Sequence, residues 1–525
     1  MTFALNLYEK IKSFKNEVAI SQSGKNITYK FLNDISLRIG TLLDSNRLNS
    51  NVIGIVGQRN LSVYYGILGS IYSGCTYVPI NDRYTKDRIY QIINEANINV
   101  LIGTKESIYS IKDVINSTGI KFILFPENDD IKYPVNSFKS AKVFDKYSIS
   151  ELEPIYPVQS NPSDIIYLLF TSGSTGKPKG VMVTNQNVDT FIKNTNSFYD
   201  LPIGYKASQS FDLSFDASVV DIFLTWMNGG QICILNESEL LMPYEYIKRE
   251  KLNFWYSVPT LASFMFKMGY LIPNSFPDLK YSSFGGERLS KKLADAWQLA
   301  APNSTVENVY GPTETTVNIT RFFYKKEYKD RKFCNDVLPV GKIFDEHSFA
   351  IINNKMENVI KGSQGQLIVK GKQISSGYIN NNDKTKESFR KFSWDNTNQI
   401  WYLTGDLAFV NNSNEIEIVG RIDDQIKIAG RRVELGEIEA AFLKSNLIKE
   451  IVIVPKKDSD GSVKAFIGFT TSKLSSDDLK NINQSALKYI EKLFLPSKIV
   501  VIEKMPETSR GKTDRKKLFE LAKDL

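Results

Sequence analysis

Short apolar runs alternating with amphipathic stretches govern what this chain can fold into. "VIGIVG" (52–57) leads into "LSVYYGILGSIYSG", followed by "TYVPI" (76–80), "INVLIGT" (98–104) and "KFILFP" (121–126). The texture returns at "QICIL" (231–235), "FWYSVP" (254–259) and "YSSFGG" (281–286). Apolar runs this short, bounded by turn residues, read as strands covered on both faces. The alternation therefore predicts an α/β fold, a largely parallel sheet covered by helices. From about residue 337 strand follows strand, in "SFAIINN", "GQLIVKG", "IWYLTGDLAFV" and "EIEIVGRIDDQIKIAG", which predicts a β-rich subdomain. Residues 424–525 predict a small α+β unit: a helix over 434–445, strands over 450–455 and 465–471, a helix over 476–494 and a last strand in "SKIVVIEKMP". No repeat or low-complexity linker marks a boundary, so motifs must set the domain edges.

At 525 residues the chain is long enough for more than one domain. Its net charge of +8 is modest for that length, and no clustered basic face points to nucleic acid. Cys75, Cys233 and Cys334 are scattered, without the spacing of a zinc site or a disulfide framework, and fit a reducing compartment. The N-terminus "MTFALNLYEKIKSFK" lacks the apolar core of a signal peptide, and no apolar run is long enough to span a membrane. The expectation is a cytoplasmic protein. His347 is the single histidine, read as structural or surface-lying, so a His-rich metal site is excluded. A Ser-His-Asp hydrolase is excluded too, unless His347 is its base.

"LLFTSGSTGKPKG" (168–180) places three glycines, hydroxyls and two lysines directly after an apolar strand. Glycines let backbone N–H groups turn toward an anion, and Ser, Thr and Lys add donors and charge. This is not a Walker A loop: Thr171 stands where its first Gly belongs, and Pro178 follows Lys177 where Ser or Thr belongs.

The loop resembles the signature loop of the adenylate-forming superfamily: acyl-CoA synthetases, luciferases and nonribosomal peptide synthetase adenylation domains. "SGCTYVPINDRYTKDRI" (73–89), "FDASVVDIF" (215–223), "NVYGPTETT" (308–316), "WYLTGDLA" (401–408), "GRIDDQIKIAGRRVELGEIE" (420–439) and "SRGKTDRKKL" (509–518) follow in the family's order and span nearly the whole chain. Their wording is most similar to the amino-acid-activating branch, D-alanine ligases for carrier proteins included. The resemblance implies a core domain over 1–423 and a mobile lid over 424–525. It also implies that a carboxylate attacks the α-phosphate of ATP, that pyrophosphate leaves, and that a carrier thiol takes the acyl group. Catalysis is then positioning and charge neutralisation.

By the same resemblance, Thr171, Ser172, Gly173, Ser174, Thr175, Gly176 and Lys179 wrap the β- and γ-phosphates, and Glu314 of "YGPTE" is the Mg²⁺ ligand. Tyr310, Gly311 and Thr313 of that motif, with Gly285, Gly286 and Glu287, flank the nucleotide; Asp406 takes the ribose hydroxyls with Arg421 nearby. Lys512, catalytic with Lys179, brings an ammonium to the charge developing between carboxylate and α-phosphate. Arg510 stands where the family usually has Asn, and a basic tail is the alternative reading, since 510–517 holds five Lys or Arg against one Asp. Asp423 matches the hinge, Asp424 is adjacent, Lys427 fits the pattern and Ala429 replaces the usual Arg.

In amino-acid activators an Asp within "FDxS" holds the substrate ammonium. "FDLSFDAS" offers two copies; the distance to "DIF" selects Asp216, with Asp212 the fallback. Ala217, Val220, Ser257, Ser283, Gly285, Val309, Val317 and Asn318 match the family's pocket positions and carry no charge, which implies a hydrophobic or neutral polar amino acid. The chain ends thirteen residues after Lys512, short of the roughly 80 a fused carrier domain needs. The expectation is a stand-alone activator whose partner is a separate phosphopantetheinylated carrier protein, with neither nucleic acid nor membrane. An acyl- or aryl-acid CoA ligase and a non-catalytic adenylate-binding protein on the same fold remain alternatives.

Overall fold

The apolar runs form two large sheets. The computed structural model describes residues 2–44, 48, 50–127, 138, 141–172, 177–423, 425–428, 431–457, 463–506 and 513–523. Strand Val52–Val56 lies between parallel neighbours Thr76–Ile80 and Val100–Gly103 in a seven-stranded sheet. Phe122–Leu124 and Lys142–Phe144 extend it on one side, Ile165–Thr171 and Lys179–Thr184 on the other. Helix Leu61–Tyr72, buried along its whole length, packs on this sheet and against helix Tyr29–Leu43.

The second sheet has nine strands, in the order Lys342–Ile343, Thr320–Tyr324, Thr305–Tyr310, Tyr281–Gly285, Phe254–Ser257, Lys206–Gln209, Gln231–Ile234, Val18–Gln22 and Lys25–Thr28. Its middle is parallel and both edges are antiparallel. Parallel strands buried on both faces need near-continuous apolar side chains, which is why these runs were legible. The β-rich stretch forms an antiparallel five-stranded sheet of His347–Ile352, Gly365–Gly371, Trp401–Val410, Ile416–Arg421 and the short Phe389–Arg390. Ile351, Leu367, Val369, Tyr402 and Ile416 form its core.

The chain divides into two compact units, one of Met1–Asp82, Ile93–Phe170 and Gly180–Ile422, the other of Arg83–Ile92, Thr171–Lys179 and Asp423–Leu525. Within the second, strands Val452–Lys457, Val463–Thr470 and Lys498–Val501 form a sheet under helices Leu435–Leu443, Ser476–Ala486 and Arg515–Lys523. The helix expected over 476–494 stops at Ala486, and the chain turns so that Ile490 and Phe494 both reach the core with Ile438, Phe442 and Ile482. Arg515, at the head of the last helix, pairs with Glu439 (2.8 and 3.0 Å) and donates to the carbonyl of Ile453.

Candidate active site

Strand Thr305–Tyr310 delivers the first group. Tyr310 donates its hydroxyl to Asp406 Oδ2 at 2.5 Å, and Arg421 Nη1 holds Oδ1 at 2.8 Å. Asp406 and Arg421 stand directly opposite on antiparallel strands, so the sheet register makes the pair. Burial, with the Asp406 charge beside it, pushes the Tyr310 phenol well above its ordinary range, so it stays a donor. Glu287 lies two residues past strand Tyr281–Gly285 and accepts from the N–H (3.0 Å) and hydroxyl (2.5 Å) of Thr260, at the start of helix Pro259–Lys267.

After Tyr310 the backbone bends sharply. A Cβ on Gly311 would lie 2.9 Å from Cα of Asn318, so this close approach demands glycine. Thr313–Thr315 is one 3₁₀ turn that carries Glu314, fully buried, with Tyr378 donating to Oε1 at 2.7 Å. Tyr378 is held by an antiparallel bridge to Val181, in the strand that leaves the glycine-rich loop. Thr316 and Val317 have φ of 56° and 69°. For β-branched residues this is strained backbone, which persists only where its surroundings over-determine it.

The surroundings are supplied by Gln373, which sequence reasoning did not single out. Its fully buried amide donates to the carbonyls of Asn318 (2.9 Å), Thr315 (3.3 Å) and Thr316 (3.4 Å), while Thr316 Oγ1 donates to the Gln373 carbonyl at 2.6 Å. The Gln373 N–H in turn donates to Nε2 of His347 (3.2 Å), whose Nδ1 lies 2.7 Å from the Asp345 carbonyl. The single histidine is thus structural, a neutral ring bonded at both nitrogens, and burial lowers its pKa.

The two Asp residues of "FDLSFDAS" separate cleanly. Asp212 accepts from Ser214 N–H and hydroxyl (2.9 and 2.8 Å) and from Asn81 (2.5 Å), closing its own turn. Burial raises the phenols of Tyr167 and Tyr256, and the charge of the half-buried Asp216 adds to it. The neighbouring Asp221, another residue the sequence reading passed over, is fully buried, and burial raises its carboxyl well above the usual range.

Strand register departs from the expected pocket at one position. Tyr256 pairs with Ser283 and Ser257 with Phe284, so Ser257 faces away from Ser283 and Gly285. Ser257 Oγ accepts from Trp255 Nε1 at 3.0 Å instead. Tyr256 takes the pocket side, its hydroxyl 3.3 Å from the amide of Asn318. Ala217, Val220, Val309 and Val317 are buried in the same continuous core. Ser283 is committed to Glu307, a buried carboxylate that also takes the Tyr199 hydroxyl and pairs with Arg321 at 2.6 Å.

Of the glycine-rich loop, Thr171 ends one strand and Lys179 begins the next, with Ser172 and Lys179 buried. The Thr171 hydroxyl is buried without a hydrogen-bond partner among the described residues. Gly173, Ser174, Thr175 and Gly176 lie outside the described residues, as do Asp424, Ala429, Arg510 and Lys512. Asp423 is exposed, and its Oδ1 accepts from Gln425 N–H at 3.3 Å.

The model of a family described as AMP-binding enzyme matches residues 7–379. The chain belongs to this family. It is 28% identical over 514 residues to the D-alanine–D-alanyl carrier protein ligase of Lacticaseibacillus paracasei, covering 96% of this chain and 95% of that ligase. It is 28% identical to gramicidin S synthase 2 of Aneurinibacillus migulanus over 97% of this chain, but spans only 11% of that synthase. In three further relatives it spans 36%, 11% and 19% of their length. Among solved structures, the Vibrio cholerae adenylation domain AlmE in complex with glycyl-adenosine-5'-phosphate matches with a TM-score of 0.87 and 26% identity, covering 100% of this chain and 98% of that one.

For an AMP-binding enzyme the residues described above fit both groups the chemistry requires. The buried, unpartnered Thr171 hydroxyl and the buried Lys179 suit a phosphate between the two strands they terminate. Glu314, with one oxygen on Tyr378, offers a single carboxylate to a hard cation. Among the described residues no cluster of three or more metal-ligating side chains exists. Glu314 would hold Mg²⁺ as one carboxylate ligand; this ion commonly keeps phosphate and water ligands besides one or two carboxylates.

Proposed function

We propose that this chain activates an amino acid as its aminoacyl-adenylate and passes it to the phosphopantetheine thiol of a carrier protein. One substrate carboxylate oxygen bonds to the α-phosphorus of ATP, the bond to the β-phosphate breaks, and pyrophosphate leaves. The thiolate then bonds to the acyl carbon and AMP departs. Mg²⁺, when bound through Glu314, neutralises phosphate charge during the first step. Thr171, Ser172 and Lys179, with Gly173 to Gly176, hold the phosphates; Tyr310, Asp406 and Arg421 hold the nucleoside. Lys512 neutralises charge at the α-phosphate, from a lid over 424–525 that swings about Asp423 after a core over 1–423. ATP as substrate and a free thiol as acceptor are cytoplasmic chemistry.

The observation that carries the amino-acid reading is Asp216. A half-buried carboxylate near the buried Tyr256 phenol is costly beside a plain acyl chain and favourable beside an ammonium. The decisive experiment is amino-acid-dependent exchange of radiolabelled pyrophosphate into ATP. Exchange that is lost in Asp216→Ala and in Lys512→Ala is the expected result. Exchange only with acids lacking an amino group would move the chain to the acyl-ligase branch, and an Asp216→Ala enzyme with unchanged amino-acid KM would overturn the role of Asp216.

A further inference from the structure

A side chain of the protein itself stands among the residues matched to the amino-acid pocket. Tyr256 is 2% exposed, and its ring packs on Phe211 with centroids 4.7 Å apart. Its hydroxyl is 3.3 Å from the Asn318 amide. A Cβ placed on Gly285 would sit 3.0 Å from that hydroxyl and 2.9 Å from Cγ2 of Val309, so glycine at 285 is what lets the phenol in. Ser283, which pairs with Tyr256 across the sheet, is tied to Glu307 and does not retreat.

The phenol thus stands among Gly285, Val309 and Asn318, the residues the amino-acid side chain would otherwise meet. Its surroundings give it little freedom. Val309 and Val317 are β-branched and buried, and the Gln373 amide holds the carbonyls of Thr316 and Asn318 on either side of the strained Val317. Displacing Tyr256 would mean breaking its bond to Asn318 and moving an aromatic ring through packed core.

We propose that Tyr256 fills the side-chain end of the amino-acid pocket and restricts the substrate to glycine- or alanine-sized amino acids. This rests on the amino-acid-activating reading above. Asp216 then fixes the ammonium, and Tyr256 forms the floor against which a hydrogen or methyl group fits and a branched chain does not.

The test is exchange of pyrophosphate into ATP with glycine, D- and L-alanine, L-serine, L-valine, L-leucine and L-phenylalanine, for the full chain and for Tyr256→Ala and Tyr256→Phe. The unaltered protein is expected to favour glycine or alanine over valine and leucine by about 10-fold or more in kcat/KM, the discrimination a pocket makes per methylene. Tyr256→Ala should raise kcat/KM for valine or leucine by about 10-fold or more, while Tyr256→Phe keeps the ring and the preference for small side chains. Exchange led by leucine or phenylalanine in the unaltered protein would overturn the inference while leaving amino-acid activation standing. Exchange with no amino acid, but with an acid lacking the ammonium, would overturn the function it rests on. The unaltered protein's own ranking answers the question even where a variant fails to fold.

Discussion

Removing the side chain of Gln373 is the sharpest probe of how the site is held. Its amide makes three donor contacts to carbonyls of residues 315, 316 and 318, and its oxygen accepts from Asn194 at 3.0 Å, all inside a residue with no solvent exposure. In Gln373→Ala the Asn318 carbonyl loses its short bond outright and the two longer ones go with it. One unsatisfied buried group costs about 1–3 kcal/mol, and truncating the side chain adds a cavity, so a total loss of about 3–5 kcal/mol is expected. The left-handed conformations of Thr316 and Val317 cost about 1–3 kcal/mol each. Strain and restraint are therefore of the same size, and without the amide the loop relaxes toward ordinary backbone.

That relaxation moves Val317 and Asn318 and leaves Glu314 on its separate tether to Tyr378 and to the Ser375 N–H, which donates to the Glu314 carbonyl at 2.8 Å. Urea unfolding and pyrophosphate exchange should thus give a split result. Stability falls by a few kcal/mol, amino-acid KM rises about 10-fold or more, and KM for ATP changes much less. Gln373→Glu, which sets a carboxylate against three carbonyls, should be at least as damaging as Ala. A Gln373→Ala protein with amino-acid KM unchanged, or with stability within about 1 kcal/mol of the parent, would refute the idea that this amide holds the strained loop.

The single histidine supplies a pH signature. Both His347 nitrogens are engaged as a neutral ring, and protonation would set Nε2–H against the Gln373 N–H, with Glu346 and Lys372 the charges nearby. Its folded pKa lies below the unfolded value of about 6.5, so the stability it contributes is complete above that pH and is lost as pH falls through it. Unfolding free energy measured from pH 8 to 5 should decline in the parent and decline less in His347→Asn; parallel curves would count against the assignment. Arg321 and Glu307 form a buried pair, 4% and 0% exposed at the side chain, with Phe198, Tyr199, Phe323 and Phe344 around the guanidinium. Arg321→Met leaves the Glu307 carboxylate buried alone and should cost about 3–5 kcal/mol in denaturant unfolding, much of it recovered by adding Glu307→Gln. A single variant as stable as the parent would show that the pair contributes little.

Strands such as Thr76–Ile80 could be read to the residue, because a parallel strand buried on both faces announces itself by composition alone. Tyr310, Glu314 and Asp406 were singled out by the resemblance of their motifs, and the fold brings the Tyr310 hydroxyl onto Asp406. The pocket side of one strand was not legible. Between Tyr256 and Ser257 lies a one-residue choice that flips a side chain from one face of the sheet to the other, and only the pairing of Tyr256 with Ser283 decides it.

Gln373 escaped for a different reason. Its partners are backbone carbonyls some 55 to 58 residues away in sequence, and nothing local distinguishes a Gln that bonds carbonyls from a Gln in solvent. The residues it restrains looked ordinary too, since Thr316 and Val317 are good strand formers and their local preference is extended. The fold overrides that preference in the short segment carrying Glu314, Val317 and Asn318. Local preference fails here because the constraint comes from a distant segment, and the strained backbone marks the position where that constraint acts.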